Sequence, residues 1–172
     1  MSPNARRLAA VALLVTVVTG CSSADPGYTK LKTGRVELQR PTAWQDSIPV
    51  QAPWAVGFRP TPTSVEQLQV SGDFGDYVSA TEAAGILMGR SQMGLEGFKV
   101  VETRDVEVKG ATSAEVVRFT ITDDKGAPVS GEWIIVAQWP KQQTAVVSIL
   151  TPQYQPELER AVLDSMRFRP SS

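Results

Sequence analysis

The sequence contains no histidine and only one cysteine, Cys21, among its 172 residues. These absences exclude catalytic triads and dyads in which histidine is the base, and they exclude zinc sites built from cysteine and histidine. The usual proton carrier near neutral pH is missing as well. A single cysteine also leaves no disulfide that could form within the chain.

Other catalytic signatures are missing too. The chain has no Ser-x-x-Lys, no Gly-x-Ser-x-Gly and no phosphate-binding glycine motif. The nearest acidic pairs, Asp73 with Asp76 and Asp123 with Asp124, lie in predicted turns, where aspartate is favoured for local backbone hydrogen bonds. Neither pair has the spacing of a calcium loop. We therefore predict a non-enzymatic protein without catalytic residues, cofactor or metal.

The charge is nearly balanced, with 17 basic and 18 acidic residues. Removal of an N-terminal segment carrying Arg6 and Arg7 would leave 15 basic against 18 acidic residues, a formal charge of −3. Both signs are scattered, and no basic stripe is present that could neutralise phosphates. Nucleic acid is therefore not an expected partner.

The N-terminal residues have the pattern of an export signal. Arg6 and Arg7 precede an apolar run from Leu8 to Val18, which is too short for a membrane-spanning helix. The following Val18-Thr19-Gly20-Cys21 resembles the lipobox of bacterial lipoproteins. We predict that residues 1–20 form a removable signal peptide and that Cys21 carries the lipid. The paired arginines leave the Sec and twin-arginine routes both open.

Lipidation of Cys21 would hold the protein on the membrane. A diacylglyceryl group supplies two acyl chains, and two chains anchor a protein stably. We expect the mature chain at the extracytoplasmic face of the cell membrane. Residues 21–33 are predicted to be a lipidated tether without ordered structure, and residues 34–172 to form one domain.

The domain alternates strand-like and helix-like patterns. Ser79-Ala80-Thr81-Glu82 matches a capping box and predicts a helix that ends at Gly94 and Gly97. Pro156 opens a second helix. Turns are predicted at Asp123-Asp124-Lys125-Gly126 and from Gly72 to Asp76. Strands are predicted at residues 35–39, 54–58, 65–70, 98–108, 115–122, 132–139, 144–150 and 167–169.

This order of strands, helix, antiparallel meander and helix predicts an α+β fold. A single twisted antiparallel β-sheet with both helices against a face is the simplest way to bury the apolar surfaces. Gly85 and Gly89, four residues apart, predict close packing of the first helix onto that sheet.

Several short motifs of the domain resemble one family. They are Pro41 with Trp44, Gly97-Phe98-Lys99-Val100-Val101, Val129-Ser130-Gly131-Glu132-Trp133 and Ser165-Met166-Arg167-Phe168. The pattern is similar to the LpqN-type lipoproteins of mycobacteria and other actinobacteria, whose fold is similar to PsbP-like and DcrB-like domains. The resemblance implies a PsbP-like αβ-sandwich in the cell envelope, without established enzymatic activity. PsbP-like domains generally bind proteins, but no binding residue of that group can be carried over.

Four tryptophans near predicted strand ends are the candidate binding surface: Trp44, Trp54, Trp133 and Trp139. Core packing accounts for aromatic residues in strands. The functional interpretation is an apolar patch or pocket for a partner. Trp133 and Trp139, six residues apart on one predicted strand, are expected to point to the same side.

Three functions stay open. The favoured one is a protein-binding adaptor of the envelope, with an exposed apolar patch rimmed by charge and no deep pocket. The second is a carrier or sensor of an apolar ligand such as an envelope lipid. It requires a cavity between helices and sheet, lined by residues such as Ile86, Leu87, Met93 and Val162. The third is an unusual hydrolase, which requires buried carboxylates gathered in a cleft.

Overall fold

The computed structural model describes residues 26–44 and 48–171. The predicted signal peptide and Cys21 lie outside the described residues. Within the described part, no helix is both long and apolar enough to cross a membrane.

In chain order the elements are β1 (Tyr28–Thr33), β2 (Val36–Pro41), β3 (Val56–Phe58), β4 (Gln67–Gly75), α1 (Ala80–Gly94), β5 (Lys99–Asp105), β6 (Ser113–Thr122), β7 (Pro128–Gln138), β8 (Gln143–Thr151), α2 (Pro156–Ser165) and β9 (Arg167–Phe168).

The strands form two antiparallel sheets. The larger sheet has six strands in the order β3-β4-β8-β7-β6-β5, and the smaller has three in the order β1-β2-β9. Strands β5 to β8 follow one another in the chain and pair as neighbours, which is the predicted meander. The α+β class, with two helices packed on an antiparallel sheet, is confirmed.

Each face of the six-stranded sheet carries its own core, because successive strand side chains point to opposite sides. Ile134 and Val136 of β7 pack with α2 and the three-stranded sheet. Trp133 and Ile135 pack with α1. The two helices therefore lie on opposite faces of the sheet, instead of sharing one face.

The three-stranded sheet includes part of the predicted tether. β1 pairs with β2 from Tyr28 opposite Pro41 to Thr33 opposite Val36. Its Leu31 side chain packs against the core on the α2 side. The expectation that residues up to 33 are unstructured was wrong, because backbone pairing and a partly buried face order them. The folded domain therefore includes Tyr28.

The predicted turn from Gly72 to Asp76 was also wrong, since β4 continues to Gly75. A Cβ on Gly72 would lie 2.2 Å from the carbonyl oxygen of Thr33. The Arg35 N–H donates to the Gly72 carbonyl oxygen at 3.1 Å. The lack of a side chain at Gly72 thus allows the β1–β2 turn to pack closely against β4. The chain does not reverse direction there.

Helix α1 begins where the capping box predicted. The Ser79 hydroxyl accepts a hydrogen bond from the Glu82 N–H at 3.1 Å. The Glu82 carboxylate accepts one from the Val78 N–H at 2.8 Å, one residue before the expected partner. Both bonds satisfy free amides at the helix start.

The packing face of α1 differs from the one expected. Gly85 and Gly89 lie on the outer side, with nothing within 4 Å of an added Cβ, so they do not mediate close packing. Ile86 and Met93 are exposed as well. Small side chains let the helix approach the sheet instead, and the buried residues are Ala80, Ala83, Ala84, Leu87 and Ser91.

Candidate functional site

An open groove of about 340 Å³ lies between the C-terminal half of α1 and the six-stranded sheet. We call it the aromatic groove. It exists because α1 covers only part of this sheet face, and its apolar lining extends over β6, β7 and β8. The apolar side chains that line it are Pro53, Trp54, Leu87, Leu95, Phe119, Ile121, Trp133 and Leu150.

The floor of the aromatic groove is formed by Phe119 and Trp133, which belong to a cluster of three rings with Phe98. Phe119 and Trp133 have ring centroids 4.3 Å apart, and Phe98 lies 5.3 Å from Phe119 and 5.8 Å from Trp133. Gly131 stands opposite both Phe119 and Leu150 in the sheet. A Cβ there would lie 2.3 Å from the Phe119 ring and 2.8 Å from Leu150. The glycine therefore provides the space in which these two side chains close over β7.

Polar side chains border this floor. Gln67 and Gln69 of β4 and Ser148 of β8 line one side, and Arg90 of α1 lines the other. No ion pair of Arg90 occurs among the described residues. The groove thus combines an apolar floor with neutral hydrogen-bonding groups and one positive charge.

Apolar side chains are also exposed near the end of α1. Leu95 lines the groove and is 40% exposed, and Met93, two residues earlier, is 85% exposed. Burial of these two side chains by a partner would be favourable, because apolar surface leaves water.

The structure does not gather the four predicted tryptophans into one surface. Trp54 and Trp133 both line the aromatic groove. Trp44 is buried in the core on the opposite face. Trp139 follows β7 and is 52% exposed; it lies roughly 20 Å from Trp133 by strand rise.

The cavity residues expected for a ligand carrier are dispersed as well. Leu87 lines the aromatic groove, but Val162 belongs to the core on the other face. Ile86 and Met93 point away from the sheet. Half of the residues that line the groove lie in strands, which helix periodicity alone could not indicate.

A second cluster, which sequence reasoning missed, lies under α2. We call it the carboxyl cluster: Glu132, Glu159, Tyr154, Arg104 and Arg118. Glu132 and Glu159 are only 4% and 5% exposed. Glu159 is paired with Arg104 and accepts a hydrogen bond from the Tyr154 hydroxyl at 2.8 Å. The Arg118 guanidinium lies 4.4 Å from the centre of the Tyr154 ring and is paired with Glu102.

Glu132 is held in its protonated form. Burial away from water raises the pKa of its carboxyl to about 9, and the neighbouring Glu159 carboxylate raises it further, while Arg118 and Arg104 oppose the shift. Its Oε2 has no hydrogen-bond partner among the described residues. Burial and the hydrogen bond to Glu159 also raise the pKa of Tyr154.

The carboxyl cluster meets one requirement of the hydrolase alternative but lacks room for a substrate. The cavity beside Glu132 has a volume of about 10 Å³, roughly the space of one water molecule. The sequence did contain a signal for the burial of Glu132. Alternate residues of a strand share one face, so Glu132 lies on the same face of β7 as Ile134 and Val136, which face the core.

One member of each acidic pair noted in the sequence has a structural role. Asp123 Oδ1 accepts hydrogen bonds from the N–H groups of Lys125 at 2.9 Å and Ala127 at 2.7 Å, which is ordinary turn chemistry. Asp73 is paired with Arg35. Across residues 26–44 and 48–171, no group of three or more potential metal-ligating side chains occurs.

No protein-family model matches the chain, and no curated protein matches it. Two solved structures are similar in fold. Cyanobacterial PsbP (CyanoP) from Synechocystis sp. PCC 6803 superposes with a TM-score of 0.61 at 12% identity, over 87% of this chain and 95% of CyanoP. LpqN, involved in cell envelope biogenesis of Mycobacterium tuberculosis, gives a TM-score of 0.52 at 13% identity, over 83% of this chain and 91% of LpqN.

These likenesses confirm the expected resemblance at the level of the fold. The chain has the PsbP-like αβ-sandwich that CyanoP and LpqN share. At such low identity the likeness assigns neither a ligand nor a partner.

Proposed function

We propose that this protein is a non-enzymatic adaptor of the cell envelope, anchored through a lipid on Cys21, and that it binds a partner protein through the aromatic groove. The observation that carries the proposal is the apolar lining of the groove, which reaches solvent at Leu95, 40% exposed at the end of α1. Met93, 85% exposed, lies two residues earlier on the outer side of α1. A protein partner can cover both the concave floor and the convex end of α1.

The composition of the groove supports this role. Interfaces bury aromatic anchors at their centre and place polar groups at the rim. Trp54, Ile121 and Leu150 are the partly exposed apolar residues of such a centre, and Trp133 and Phe119 form the buried floor beneath them. Gln69 and Arg90 lie at the edge. LpqN is described as involved in cell envelope biogenesis, which is compatible with an envelope adaptor.

A second candidate is a carrier of an anionic amphiphile. The specific observation in its favour is Arg90, which lies beside the apolar floor and forms no ion pair among the described residues. An acyl chain on the floor with a carboxylate or phosphate near Arg90 would satisfy both features. The volume of about 340 Å³ is near the lower end for ligand pockets.

Site-specific photocrosslinking separates the two candidates. A benzophenone amino acid replaces Gln69 at the rim of the groove, and a matched variant carries it at Lys125 on the hairpin tip. After irradiation of intact cells, the adaptor proposal predicts a discrete protein adduct from position 69 alone. Met93→Glu should reduce its yield, since a charge replaces an exposed apolar contact.

A lipid-sized mass increment at position 69 would support the carrier instead. Equal adducts at positions 69 and 125, or none at position 69, would contradict a binding role of the aromatic groove. Unchanged yield in the Met93→Glu variant would contradict the part assigned to α1.

A further inference from the structure

The outer side of α1 differs from an ordinary solvent-exposed helix face. Four exposed residues follow one another at helical spacing on the side away from the sheet: Glu82, Ile86, Gly89 and Met93. We call these four residues the outer stripe. The Ile86 side chain is 38% exposed and the Met93 side chain is 85% exposed. Apolar surface therefore occupies much of the stripe.

Helix α2 provides a comparison within the same fold. Its exposed side carries three charged residues in ten, Glu157, Arg160 and Asp164. The longer helix α1 has only two charged residues, Glu82 and Arg90. A helix face with exposed apolar side chains and few charges is typical of a surface that another molecule covers.

Two glycines lie beside Ile86 on the outer side of α1. A Cβ added to Gly85 or Gly89 would meet nothing within 4 Å. Glycine is less favourable than alanine inside a helix, and no close contact among the described residues requires it here. The distance between packed helices depends on the side chains at their contact. The missing side chains therefore allow a second helix to approach Ile86 closely.

The charges of α1 are placed symmetrically about Ile86. Glu82 lies four residues before it and Arg90 four residues after it. Neither forms an ion pair with another described residue. When a second α1 is laid antiparallel on the first, with Ile86 opposite Ile86, each Glu82 lies opposite the Arg90 of the other copy. A parallel arrangement would place like charges opposite each other.

We propose that two copies of this chain associate through antiparallel pairing of their α1 helices, about a two-fold axis at Ile86. In such a contact the same patch serves both copies. The complementary charges are both supplied by α1, which favours a second copy over a different protein. Met93 lies beyond the paired segment from Glu82 to Arg90. The proposal depends neither on the aromatic groove nor on the lipid at Cys21.

Disulfide crosslinking tests the pairing in membranes of cells that produce the full chain. Ile86→Cys places one cysteine at the two-fold axis, and Lys125→Cys is the matched variant on the hairpin tip. The native chain controls for Cys21. A disulfide needs Cβ atoms about 4 Å apart. Oxidation with copper phenanthroline should therefore give a reductant-sensitive dimer from the Ile86→Cys variant alone.

Gly89→Leu, combined with Ile86→Cys, separates association from folding. Leucine favours a helix, and a Cβ at position 89 has open space in the single chain, so the melting temperature should not fall. The larger side chain fills the space beside position 86 and should lower the dimer yield about fivefold. A yield that ignores Gly89→Leu would overturn the proposal.

Charge variants test the antiparallel direction. In the Ile86→Cys chain, Arg90→Glu should lower the dimer yield about tenfold, because two attractive pairs with Glu82 become two repulsive ones. Arg90→Lys retains the charge and should retain most of the yield. Lys125→Glu makes the same charge reversal at the hairpin tip and should have no effect. Equal yields from Arg90→Glu and Arg90→Lys would exclude the antiparallel charge pairing.

Two further outcomes also count against the proposal. Equal dimer yields from Ile86→Cys and Lys125→Cys would show random collision in the membrane. A crosslink from position 86 to a different protein, without a dimer, would assign the outer stripe to that protein. Gly89→Leu should leave the photoadduct at position 69 unchanged. Failure of the α1 pairing is therefore distinguishable from failure of the aromatic groove.

Discussion

Phe119 and Trp133 lie on adjacent strands with their ring centroids 4.3 Å apart, and Gly131 beside them carries no side chain that would separate Phe119 from Leu150. The packing of the groove floor thus requires that position 131 has no Cβ atom. A substitution that adds only this atom therefore tests the packing.

Gly131→Ala should destabilise the fold and deform the groove. The new Cβ would meet the Phe119 ring at 2.3 Å, and Phe119 is buried against two other rings, so the cluster has to shift. We expect a loss of about 1–3 kcal/mol in the free energy of unfolding, measured by urea denaturation. Gly85→Ala is the control, and with open space around it should gain about 0.4–1 kcal/mol. Equal effects of the two substitutions would contradict the role of Gly131.

Glu132→Gln should change how stability depends on pH. The pKa of Glu132 is raised from 4.5 to about 9 in the folded protein, so between these values the unfolded chain releases a proton that the folded chain retains. The free energy of unfolding of the native protein therefore falls as pH rises through this window, by up to ~1.4 kcal/mol per unit.

The Glu132→Gln variant should lose most of that slope and exceed the native protein in stability at pH 8. Urea unfolding at pH 5, 6, 7 and 8 measures the difference. Asp124→Asn, the same change from carboxyl to amide at an exposed turn, should retain the native slope. Parallel profiles for native and Glu132→Gln protein would show that Glu132 is ionised in the fold.

Thr81→Val should destabilise the contact between α1 and the sheet. The Thr81 hydroxyl donates to Glu115 at 2.8 Å, and Glu115 is buried. Valine keeps the shape but removes the donor, which costs about 1–3 kcal/mol for a buried acceptor left without its partner. Thermal unfolding measures the loss. Thr81→Ser retains the hydroxyl and should lose less than Thr81→Val; the reverse order would exclude this hydrogen bond as the cause.

Cys21→Ser should abolish lipidation, because serine has no thiol to accept the diacylglyceryl group. We expect the variant to remain uncleaved at that position or to be released from membranes. Membrane fractionation and intact-mass measurement test this. A variant that stays in the membrane fraction at the normal mature mass would contradict the lipobox prediction.

The sequence was most informative where local rules decide the structure. The hairpin turn at Asp123–Gly126 forms as predicted, with Gly126 at φ +80° and Asp123 accepting local amides. The start of α1 at Ser79 follows its capping signal. The faces of β6 follow from alternation, with Val117 and Phe119 both on the α1 side.

The errors occur where distant segments meet. The local sequence predicts Gly72 as a turn residue. In the structure a glycine is needed there because the backbone of Thr33, far away in the chain, packs against it. The order of β1 comes from pairing with β2 and from the packing of Leu31. Glu132 is buried because Glu159 and Tyr154, which come much later in the chain, lie next to it in the carboxyl cluster. Composition and periodicity carry no information about such contacts.

Gly131, Glu132 and Trp133 are consecutive residues that serve both faces of β7. A slip of one residue against β6 and β8 would turn Glu132 into the aromatic groove and Trp133 into the carboxyl cluster. Single insertions or deletions inside the paired strands, between Phe119 and Thr122 or between Pro128 and Trp133, should therefore be selected against. The exposed hairpin tip between these strands can change in length without a change of register.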